Sequence, residues 1–354
     1  MDGQEPLQHT QQKPTPQKPL TTIKLRGQAK KRWAERLLQI HQHGQRPAGS
    51  AFQILRPPTP TAAVNAAPIK PHPVRIVCVA DTHNRQPVLP AGDILIHAGD
   101  LTDQGSFAEV QAGLSWLAAQ PHKHKILVAG NHDVLLDDAF LAQHPERRYG
   151  QTQTREDLAW GDVTYLQDRQ IAVEMGGRSL VIYGAPWTPA YGVSAFQYRP
   201  DDAQTHWTER LDAFSAAKPP DILITHGPPK LHRDQRDWYR AGCAHLAEQV
   251  ARLRPQLCVF GHIHAGYGRE DTVVDAVRWQ HDMVAIGWAG WAGVAWMCLL
   301  VVWRRMAALP LRVFGGGRQE KWTTFVNAAV VGGPDNEIRN TPIVVELYLT
   351  NLAS

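Results

Sequence analysis

Five short apolar runs constrain this chain most, because each is followed at once by side chains that can bind a metal ion. The runs are Val74–Ala80, Asp93–Ala98, Lys125–Ala129, Ile222–Thr225 and Leu257–Phe260. Continuous apolar stretches of this length, rich in β-branched residues, are typical of strands buried on both faces of a sheet. The groups that follow them are Asp81-Thr82-His83, Gly99-Asp100-Leu101-Thr102-Asp103, Gly130-Asn131-His132-Asp133, Thr225-His226-Gly227 and Gly261-His262-Ile263-His264. Since ligands of open α/β sheets bind beyond the carboxyl ends of the strands, we expect all five groups to meet at one place.

The residue types in these groups suit divalent cations of hard to borderline character. Imidazole combined with carboxylate and amide oxygens favours manganese, iron or zinc, whereas calcium prefers oxygen ligands alone. A structural zinc held by cysteines is not expected, since the four cysteines lack CxxC spacing. One histidine near a strand end means little in a chain with 17 histidines. Five such groups, each directly after a strand, together predict a metal centre.

The order of these groups resembles the calcineurin-like metallophosphoesterase superfamily. Three segments make the chain similar to one branch of it, the metallophosphoesterase-domain-containing proteins, which are related to class III cyclic-nucleotide phosphodiesterases. These segments are Tyr183–Pro189, Thr225–Pro229 and Gly261–Gly268. The resemblance covers residues 74–268 and 322–350. It implies an α/β fold with four layers, α/β/β/α, in which two mixed sheets face each other and helices flank them.

The resemblance also implies which side chains hold two divalent ions. The ligands of the first ion would be Asp81, His83 and His264, those of the second ion would be Asn131, His226 and His262, and Asp100 would bridge both. Two cations about 3.5–4 Å apart can stabilise both the attacking and the leaving oxygen of a displacement and activate a water molecule. The expected cofactors are therefore two ions of manganese, iron or zinc.

His132 would not be a ligand but the proton donor to the leaving alkoxide, steadied by the carboxylate of Asp103. Gln104-Gly105 follows Asp103 where protein phosphatases of the superfamily carry Arg-Gly. The missing arginine argues against a phosphoprotein substrate. Some members of the branch have glycine at the position of His262 and lose much activity, but this chain keeps the histidine. We therefore expect hydrolysis of a phosphoester, first of all a phosphodiester, with a cyclic nucleotide as one candidate.

Two alternatives to a phosphodiesterase stay open. The enzyme could act on phosphomonoesters or on the headgroups of membrane lipids. From another class, the chain could be a membrane-attached scaffold that keeps its metals for stability alone. The pairing of His132 with Asp103 argues against the scaffold, because a structural site has no use for a proton donor. The net charge of +4 is mild, so no specific nucleic-acid partner is expected.

Tyr267, Lys230 and Arg233 are predicted to contact the substrate. Basic side chains between Pro229 and Gly242 follow the predicted ligand His226 and would attract a phosphoanion. A solvated loop explains the same basic residues equally well.

Residues 1–72 differ from the domain assigned to residues 73–354. Met1–Leu20 is rich in Gln, Pro and Lys without an apolar period, which predicts disorder. Residues 29–42 can form one basic amphipathic helix, for which packing on the domain or transient formation is favoured over membrane or partner contact. Prolines between positions 57 and 73 form a stiff linker. The lack of a secretory h-region and of paired cysteines predicts an intracellular, cytoplasmic protein.

An apolar, Trp-rich insert occupies about residues 271–320. Met283–Trp303 carries no charge and is long enough to cross a bilayer. A single crossing conflicts with the strands expected at Thr323–Val331 and Ile343–Leu349, which belong to the same domain as the ligands. Three interpretations stay open: a membrane-surface contact through residues 283–305, burial on the domain or at a dimer interface, or mispredicted sequence. Tryptophans beside Arg304-Arg305 favour the membrane surface, and the protein would then be peripheral or monotopic.

Overall fold

Two mixed β-sheets lie face to face, and helices cover the outer side of each. The computed structural model describes residues 20–45, 73–175, 177–214, 219–313 and 321–348. Its α-helices are α1 (Leu20–Gln45), α2 (Phe107–Ala118), α3 (Asp138–Gln143), α4 (Ala203–Leu211), α5 (Ala244–Leu253), α6 (Ala276–Ile286) and α7 (Trp291–Val313). Short 3₁₀ helices lie at Val134–Leu136, Pro145–Arg148, Arg155–Asp157, Pro200–Asp202, Asp212–Phe214 and His264–Gly266.

Most strands belong to the two large sheets, and the others form two-stranded ribbons. The strands are β1 (Val74–Val79), β2 (Ile94–Ala98), β3 (His124–Val128), β4 (Val163–Tyr165), β5 (Arg169–Met175), β6 (Arg178–Ala185), β7 (Thr188–Pro189), β8 (Gln197–Tyr198), β9 (Ile222–Thr225), β10 (Gln235–Arg236), β11 (Tyr239–Arg240), β12 (Leu257–Phe260), β13 (Gly268–Val273), β14 (Trp322–Asn327), β15 (Val331–Gly332), β16 (Glu337–Ile338) and β17 (Ile343–Leu347). The first sheet has the order β17-β1-β2-β3-β4 and the second has the order β13-β14-β12-β9-β6-β5. The ribbons are β7-β8, β10-β11 and β15-β16.

The central strands of both sheets run parallel, and antiparallel strands lie at the edges. In the first sheet β1 to β4 are parallel and β17 is antiparallel to β1. In the second sheet β6, β9, β12 and β14 are parallel, with β5 and β13 antiparallel at the edges. The parallel register brings the carboxyl ends of neighbouring strands to a common edge, where loops can assemble a site.

Strands buried on both faces explain why the sequence shows continuous apolar runs. Ile76 and Ile96 of the first sheet meet Ile224 and Val259 of the second sheet in the space between them. On the outer face of the first sheet, β1 and β2 pack against α2. On the outer face of the second sheet, β9 and β12 pack against α4 and α5, with Trp207 completely buried. The predicted four-layer α/β/β/α fold is confirmed.

The predicted strand limits differ only slightly from those observed. The strand expected over Thr323–Val331 is interrupted, because β14 ends at Asn327 and Val331 starts the short ribbon β15-β16. The last strand ends at Leu347, and Leu349 lies outside the described residues. The segment 1–19, expected to be disordered, and the proline linker also lie outside them. Leu20, counted with the tail, is the first residue of α1.

The insert forms two helices, and α1 packs against both. Helices α6 and α7 connect β13 to β14, which are neighbouring antiparallel strands of the second sheet. One apolar cluster joins the three helices through Ala34, Leu37, Leu38, Val277, Val284, Val294, Met297 and Val301. Two polar contacts add to it: His41 Nε2 lies 2.7 Å from Asp275 in a buried pair, and His281 Nε2 lies 3.0 Å from the more exposed Glu35. Among the described residues, no helix combines the length and apolarity that a bilayer crossing needs.

Candidate metal centre

The five predicted groups come together at the carboxyl edge of the two sheets. Asp81 and His83 follow β1, Asp100 follows β2, and Asn131 follows β3 in the first sheet. From the second sheet, the segment after β9 brings His226, and the segment after β12 brings His262 and His264. The carboxylates of Asp81 and Asp100 and the ring of His226 are almost completely buried. The site therefore lies where the ends of both sheets meet, as the strand pattern predicted.

Six of the seven predicted ligands form two clusters. In each cluster one ligand atom from every residue lies within 4.8 Å of the others; the first contains Asp81, His83 and His264, and the second contains Asp100, His226 and His262. Asn131 joins the second cluster, since its Oδ1 atom lies 3.1 Å from Nε2 of His226. The arrangement offers two candidate metal sites with the grouping that the family resemblance implied.

Asp100 lies between the two clusters. Its Oδ2 atom is 3.2 Å from Nε2 of His226 in the second cluster and 3.8 Å from Nε2 of His83 in the first. Its Oδ1 atom accepts a hydrogen bond of 2.8 Å from the main-chain N–H of His132. A carboxylate within reach of both clusters fits the predicted bridging position.

The glycines of the motifs allow the carboxylates to approach the backbone closely. A Cβ atom on Gly130 would lie 2.3 Å from Oδ1 of Asp100, and one on Gly261 would lie 2.0 Å from Oδ2 of Asp81. Both distances are far below van der Waals contact, so only glycine fits there. Beside Gly261, the main-chain N–H of His262 donates to both oxygens of Asp81, at 3.0 and 2.9 Å.

Several of the predicted ligands have left-handed backbone conformations. The φ angle is 52° at Asp81, 44° at His83, 52° at Asp100 and 65° at His262. Such conformations are uncommon for residues other than glycine, although Asp, Asn and His adopt them more readily than others. Strained positions of this kind cluster at functional sites, each at a cost of roughly 1–3 kcal/mol. Their concentration here indicates a site maintained for function.

The protonation equilibria of the second cluster are strongly shifted. Burial alone would lower the pKa of His226, but the carboxylate of Asp100 outweighs it and raises the value to about 9. Burial, together with the neighbouring His226, lowers the pKa of His262 to about 3. An imidazole must be neutral to bind a metal ion, so His262 is ready to coordinate. A cation beside Asp100 would take the place of the proton on His226.

His83 shows that the residues fit metal ions. Its ring is buried, and neither ring nitrogen makes a hydrogen bond within the protein. The Nδ1 atom lies 3.1 Å from the Asp103 carboxylate, but without hydrogen-bond geometry. A buried polar atom without a partner is unfavourable, and a cation at the ring would supply one. Together with the nitrogen and oxygen donors of both clusters, this supports a borderline divalent cation rather than calcium.

His132 lies beside the clusters, half-buried, with its ring centroid 4.8 Å from that of His83. Its Nδ1 atom lies 2.7 Å from the main-chain oxygen of Asp103. The structure therefore differs from the sequence prediction that the carboxylate of Asp103 steadies this ring. That carboxylate faces His83 and accepts long hydrogen bonds from the amides of Asn84 and Asn336. The main chain at Asp103 is closer to His132, because the bend after β2 points the side chain elsewhere.

Asp133 is a site residue that the sequence reasoning did not single out, although it ends the Gly-Asn-His-Asp motif. Its buried carboxylate accepts hydrogen bonds from the main-chain N–H groups of Gly130, Leu101 and Thr102, at 2.8, 3.2 and 3.0 Å. The hydroxyl of Thr102 donates to it as well, at 2.9 Å. Asp133 thus ties the loop after β3 to the loop after β2 and fixes Asp100 relative to Asn131.

The three predicted substrate contacts point their polar atoms at main-chain oxygens. Tyr267 donates to the carbonyl of Thr341 at 2.8 Å. The Lys230 ammonium donates to the carbonyls of Arg240 and Gly242. The Arg233 guanidinium donates to the carbonyl of Arg269. Their roles toward a substrate stay predictions, and each has a structural role in its own loop.

Two candidate metal sites at the carboxyl edge of two facing sheets are suited to hydrolysis assisted by cations. Comparison with known sequences identifies the kind of bond that is hydrolysed. The model of the calcineurin-like phosphoesterase family matches residues 74–266, which is more than half of the chain. The chain belongs to the calcineurin-like phosphoesterase family, a class of metal-dependent hydrolases that act on phosphoester bonds. The family predicted from the order of the motifs is confirmed.

Three relatives show how far the similarity extends. Metallophosphoesterase domain-containing protein 1 of Homo sapiens is 38% identical over 218 residues, which cover 57% of this chain and 64% of the human protein. A UPF0046 protein of Caenorhabditis elegans is 35% identical over 236 residues, 61% of this chain and 79% of that protein. A protein of Emericella nidulans named probable rhamnogalacturonate lyase C is 38% identical over 277 residues, 77% of this chain but 24% of that protein. The chain therefore spans less than two thirds of the length of the human and fungal relatives.

Proposed function

We propose that the protein hydrolyses phosphodiesters with two divalent cations. Asp81, His83 and His264 would hold one cation, and Asn131, His226 and His262 would hold the other, with Asp100 shared between them. When bound, such cations activate water and neutralise the charge that develops on the phosphate. The observation that carries the proposal is the position of Asp100, within reach of ligands from both clusters.

His132 is the proposed proton donor to the leaving oxygen. A carbonyl oxygen can only accept a hydrogen bond, so the Asp103 carbonyl fixes the proton of His132 on Nδ1. Nε2 is then left to face the substrate, and a protonated ring can donate from it. General-acid help of this kind contributes typically ~10²–10⁴-fold. A scaffold that keeps metals only for stability gives no reason for a histidine oriented in this way.

The charges around the site favour a diester over a monoester. The position that carries a phosphate-binding arginine in protein phosphatases is Gln104, whose amide oxygen accepts a long hydrogen bond from Tyr149. A phosphodiester carries one negative charge at neutral pH and a monoester carries nearly two. A site with fewer cations therefore suits the diester better. A cyclic nucleotide is one substrate of this class.

The lyase name of the fungal relative is not transferred to this chain. The match covers 24% of that protein, so its name can describe a part that this chain does not share. The model of the calcineurin-like phosphoesterase family matches residues 74–266, a range that includes both clusters.

Hydrolysis of two model esters tests the proposal. The metal-free protein is loaded with manganese, iron(II), zinc or magnesium, and bis-p-nitrophenyl phosphate is compared with p-nitrophenyl phosphate. We expect a higher kcat/KM for the diester with at least one of the first three ions. A higher kcat/KM for the monoester with every ion would favour a phosphomonoesterase. No hydrolysis of either ester, with two ions bound, would favour the scaffold.

We also propose that the exposed face of α7 lies against a membrane surface. One side of α7 is covered by α1 and α6, but the other side exposes large apolar side chains: Trp291, Trp296, Leu299, Val302, Trp303 and Met306. Tryptophans are common where a protein meets lipid headgroups. The basic pair within α7 does not supply the expected cationic margin, because Arg304 pairs with Asp275 and Arg305 donates to the carbonyl of Ile40. Lys31, Arg32 and Arg36 of the neighbouring helix α1 are exposed, so these basic side chains can contact anionic lipid.

A further inference from the structure

One basic side chain near the metal centre has no hydrogen-bond or ion-pair partner among the residues that the structure describes. Residues 229–242, all of which the structure describes, contain four Lys and Arg side chains. Lys230 and Arg233 donate to main-chain carbonyls, and Arg240 pairs with the buried carboxylate of Asp234 at 3.0 Å. Arg236 is exposed and makes no hydrogen bond or ion pair with any described residue. A free guanidinium at this place is available to a ligand.

The β10-β11 hairpin holds Arg236 in a defined position. Asp234, at its base, accepts hydrogen bonds from the main-chain N–H of Gly242 and from Arg240, both at 3.0 Å. Strand β10 packs beside the 3₁₀ helix that begins with His264, a proposed ligand of the first ion. Arg236 therefore extends from a braced hairpin next to the metal centre.

Tyr191 lies on another side of the same centre. It belongs to the loop between β7 and β8, and its ring centroid is 5.3 Å from that of His262. The loop is fixed to the site, because the hydroxyl of Ser194 and the N–H of Ala195 both donate to the carbonyl of Asn131. Tyr191 nevertheless leaves 59% of its surface exposed. An exposed ring above a ligand histidine is open to contact by a bound molecule.

Both side chains border the same end of the sheets. The ring of Tyr191 lies beside His262 of the second cluster. The strand that carries Arg236 packs beside the 3₁₀ helix that begins with His264 of the first cluster. A molecule bound over the two clusters is therefore bordered by both residues.

We infer that Arg236 and Tyr191 form the substrate-binding rim of the site, which no sequence motif identified. The inference rests on the proposed hydrolysis of phosphoesters. Arg236, which lies on a different segment from position 104, donates to one non-bridging oxygen of the phosphate. A single guanidinium matches the one negative charge of a diester. Tyr191 packs against the organic group that the reaction leaves unchanged, and a planar group gains most from it. The two residues therefore select an anionic ester with an aromatic or heterocyclic substituent.

Binding of inorganic phosphate to the manganese-loaded full chain tests Arg236 without requiring turnover. Arg236→Gln should weaken the binding by about 10-fold, as expected for the loss of a charge-assisted hydrogen bond, and Arg236→Lys should restore part of it. Arg254→Gln is the control for net charge, because Arg254 lies before the amino end of β12, at the opposite edge of the sheet. Lys230→Gln tests the basic side chain that the sequence predicted as a substrate contact, for comparison with Arg236→Gln. Calorimetric titration measures all four variants. The Arg254→Gln control should bind phosphate like the wild type, and Lys230→Gln should lose less affinity than Arg236→Gln.

Two diesters test Tyr191. Tyr191→Ala should raise the KM for bis-p-nitrophenyl phosphate more than the KM for methyl p-nitrophenyl phosphate, which lacks the second ring. Tyr191→Phe should keep the preference for the larger ester, and kcat should change less than KM. An equal change for both esters would overturn the role of Tyr191.

The outcomes separate this inference from the proposed function. If the wild type hydrolyses diesters but Arg236→Gln leaves both KM and phosphate affinity unchanged, the rim is wrong and the proposed function stands. If neither ester is hydrolysed while phosphate binding depends on Arg236, the anion site is supported and the proposed function fails. If the Arg254→Gln control also loses phosphate affinity, the loss in Arg236→Gln is explained by the change in net charge. That outcome would overturn the assignment of Arg236.

Discussion

The ring of His132 is held by the main-chain oxygen of Asp103, and no side-chain substitution at position 103 removes that oxygen. The carboxylate of the same residue lies 3.1 Å from the ring of His83. One residue thus contacts the proposed proton donor through its backbone and a proposed metal ligand through its side chain. Mutagenesis can separate the two roles.

His132→Ala should keep both metal ions and lose roughly 10²–10⁴-fold in kcat. The loss should be smaller for esters whose leaving group has a low pKa, because such groups depart without a proton. A series of aryl phosphodiesters measures this dependence. An equal loss across the series would indicate that His132 positions the substrate instead.

Asp103→Ala should behave differently from His132→Ala, although the sequence alone predicted one acid-catalytic pair. The contact with His83 is lost, so metal affinity should fall by roughly 10–100-fold, as is typical for a group that orients a ligand. With saturating metal, the dependence on the leaving group should match that of the wild type. If Asp103→Ala instead abolishes that dependence, the carboxylate takes part in proton transfer after all.

Asp100→Asn should impair both metal sites, because one carboxylate lies within reach of both clusters. We expect activity to fall by on the order of 100-fold or more, since even groups that only support a ligand can have effects of this size. Elemental analysis measures the bound metal. Asp201→Asn, an exposed carboxylate before α4, serves as the matched control. Two ions still bound with full activity would exclude a bridging role.

That the proposed ligands lie together could be predicted because their signals are local. Each lies one to four residues beyond a buried strand, as with Asp81 after β1 or His226 after β9. Asp133 carried the same local signal, but its role depends on donors from the loop after β2, which lies about thirty residues earlier. The position of Tyr191 depends on how its loop folds back on Asn131. Such contacts arise from tertiary packing and have no period or spacing in the sequence.

The helical insert is a second example of tertiary contacts that the sequence does not reveal. Its apolar length was evident, but the sequence could not show that half of the apolar surface is covered by a helix from residues 20–45. The covering contacts join positions such as Leu38 and Met297, which are far apart in the chain. The sequence of α7 alone does not show whether one of its apolar faces is buried, because its pattern of apolar residues would be the same in either case.

A charged network beneath the insert predicts how stability depends on pH. Burial alone would raise the pKa of Glu270, but its contacts with His232 and Arg278 outweigh burial and lower it to about 2. A carboxylate with a lower pKa in the folded state binds fewer protons there than in the unfolded chain. Its stabilisation is therefore present above about pH 4.5 and is lost as the pH falls toward 2.

Glu270→Gln should accordingly destabilise the protein at pH 7, and the effect should fall to about half or less near pH 3. Urea unfolding at several pH values gives the free energy of unfolding of the wild type and of Glu270→Gln. The contributions of other carboxylates cancel in the difference between the two proteins. Glu337→Gln, an exposed carboxylate in β16, is the control and should show little difference at any pH. A difference for Glu270→Gln that stays constant from pH 7 to pH 3 would contradict the lowered pKa.

The exposed face of α7 predicts binding to anionic vesicles at low salt. Tryptophan side chains would enter the headgroup region, and each nearby basic residue adds about 1 kcal/mol to the attraction. The full chain should therefore sediment with vesicles that contain phosphatidylserine. The variant Trp296→Gln with Trp303→Gln should stay in solution, because these two residues, 54% and 70% exposed, supply much of the exposed aromatic surface of α7. Trp238→Gln, which changes a tryptophan 89% exposed on the β10-β11 hairpin, is the matched control.

Diesterase activity should survive in the double variant, because every proposed ligand lies at or before His264 in the chain. Deletion of residues 283–305 is a harsher test, since it also removes Met297 and Val301 from the cluster with α1. If the deleted form unfolds, the buried side of the insert is part of the core, and only the double variant can report on lipid. If the intact protein stays in solution beside vesicles at low salt, the membrane proposal is wrong. A dimer that the double variant dissociates in analytical ultracentrifugation would then assign the exposed face to a second copy of the chain.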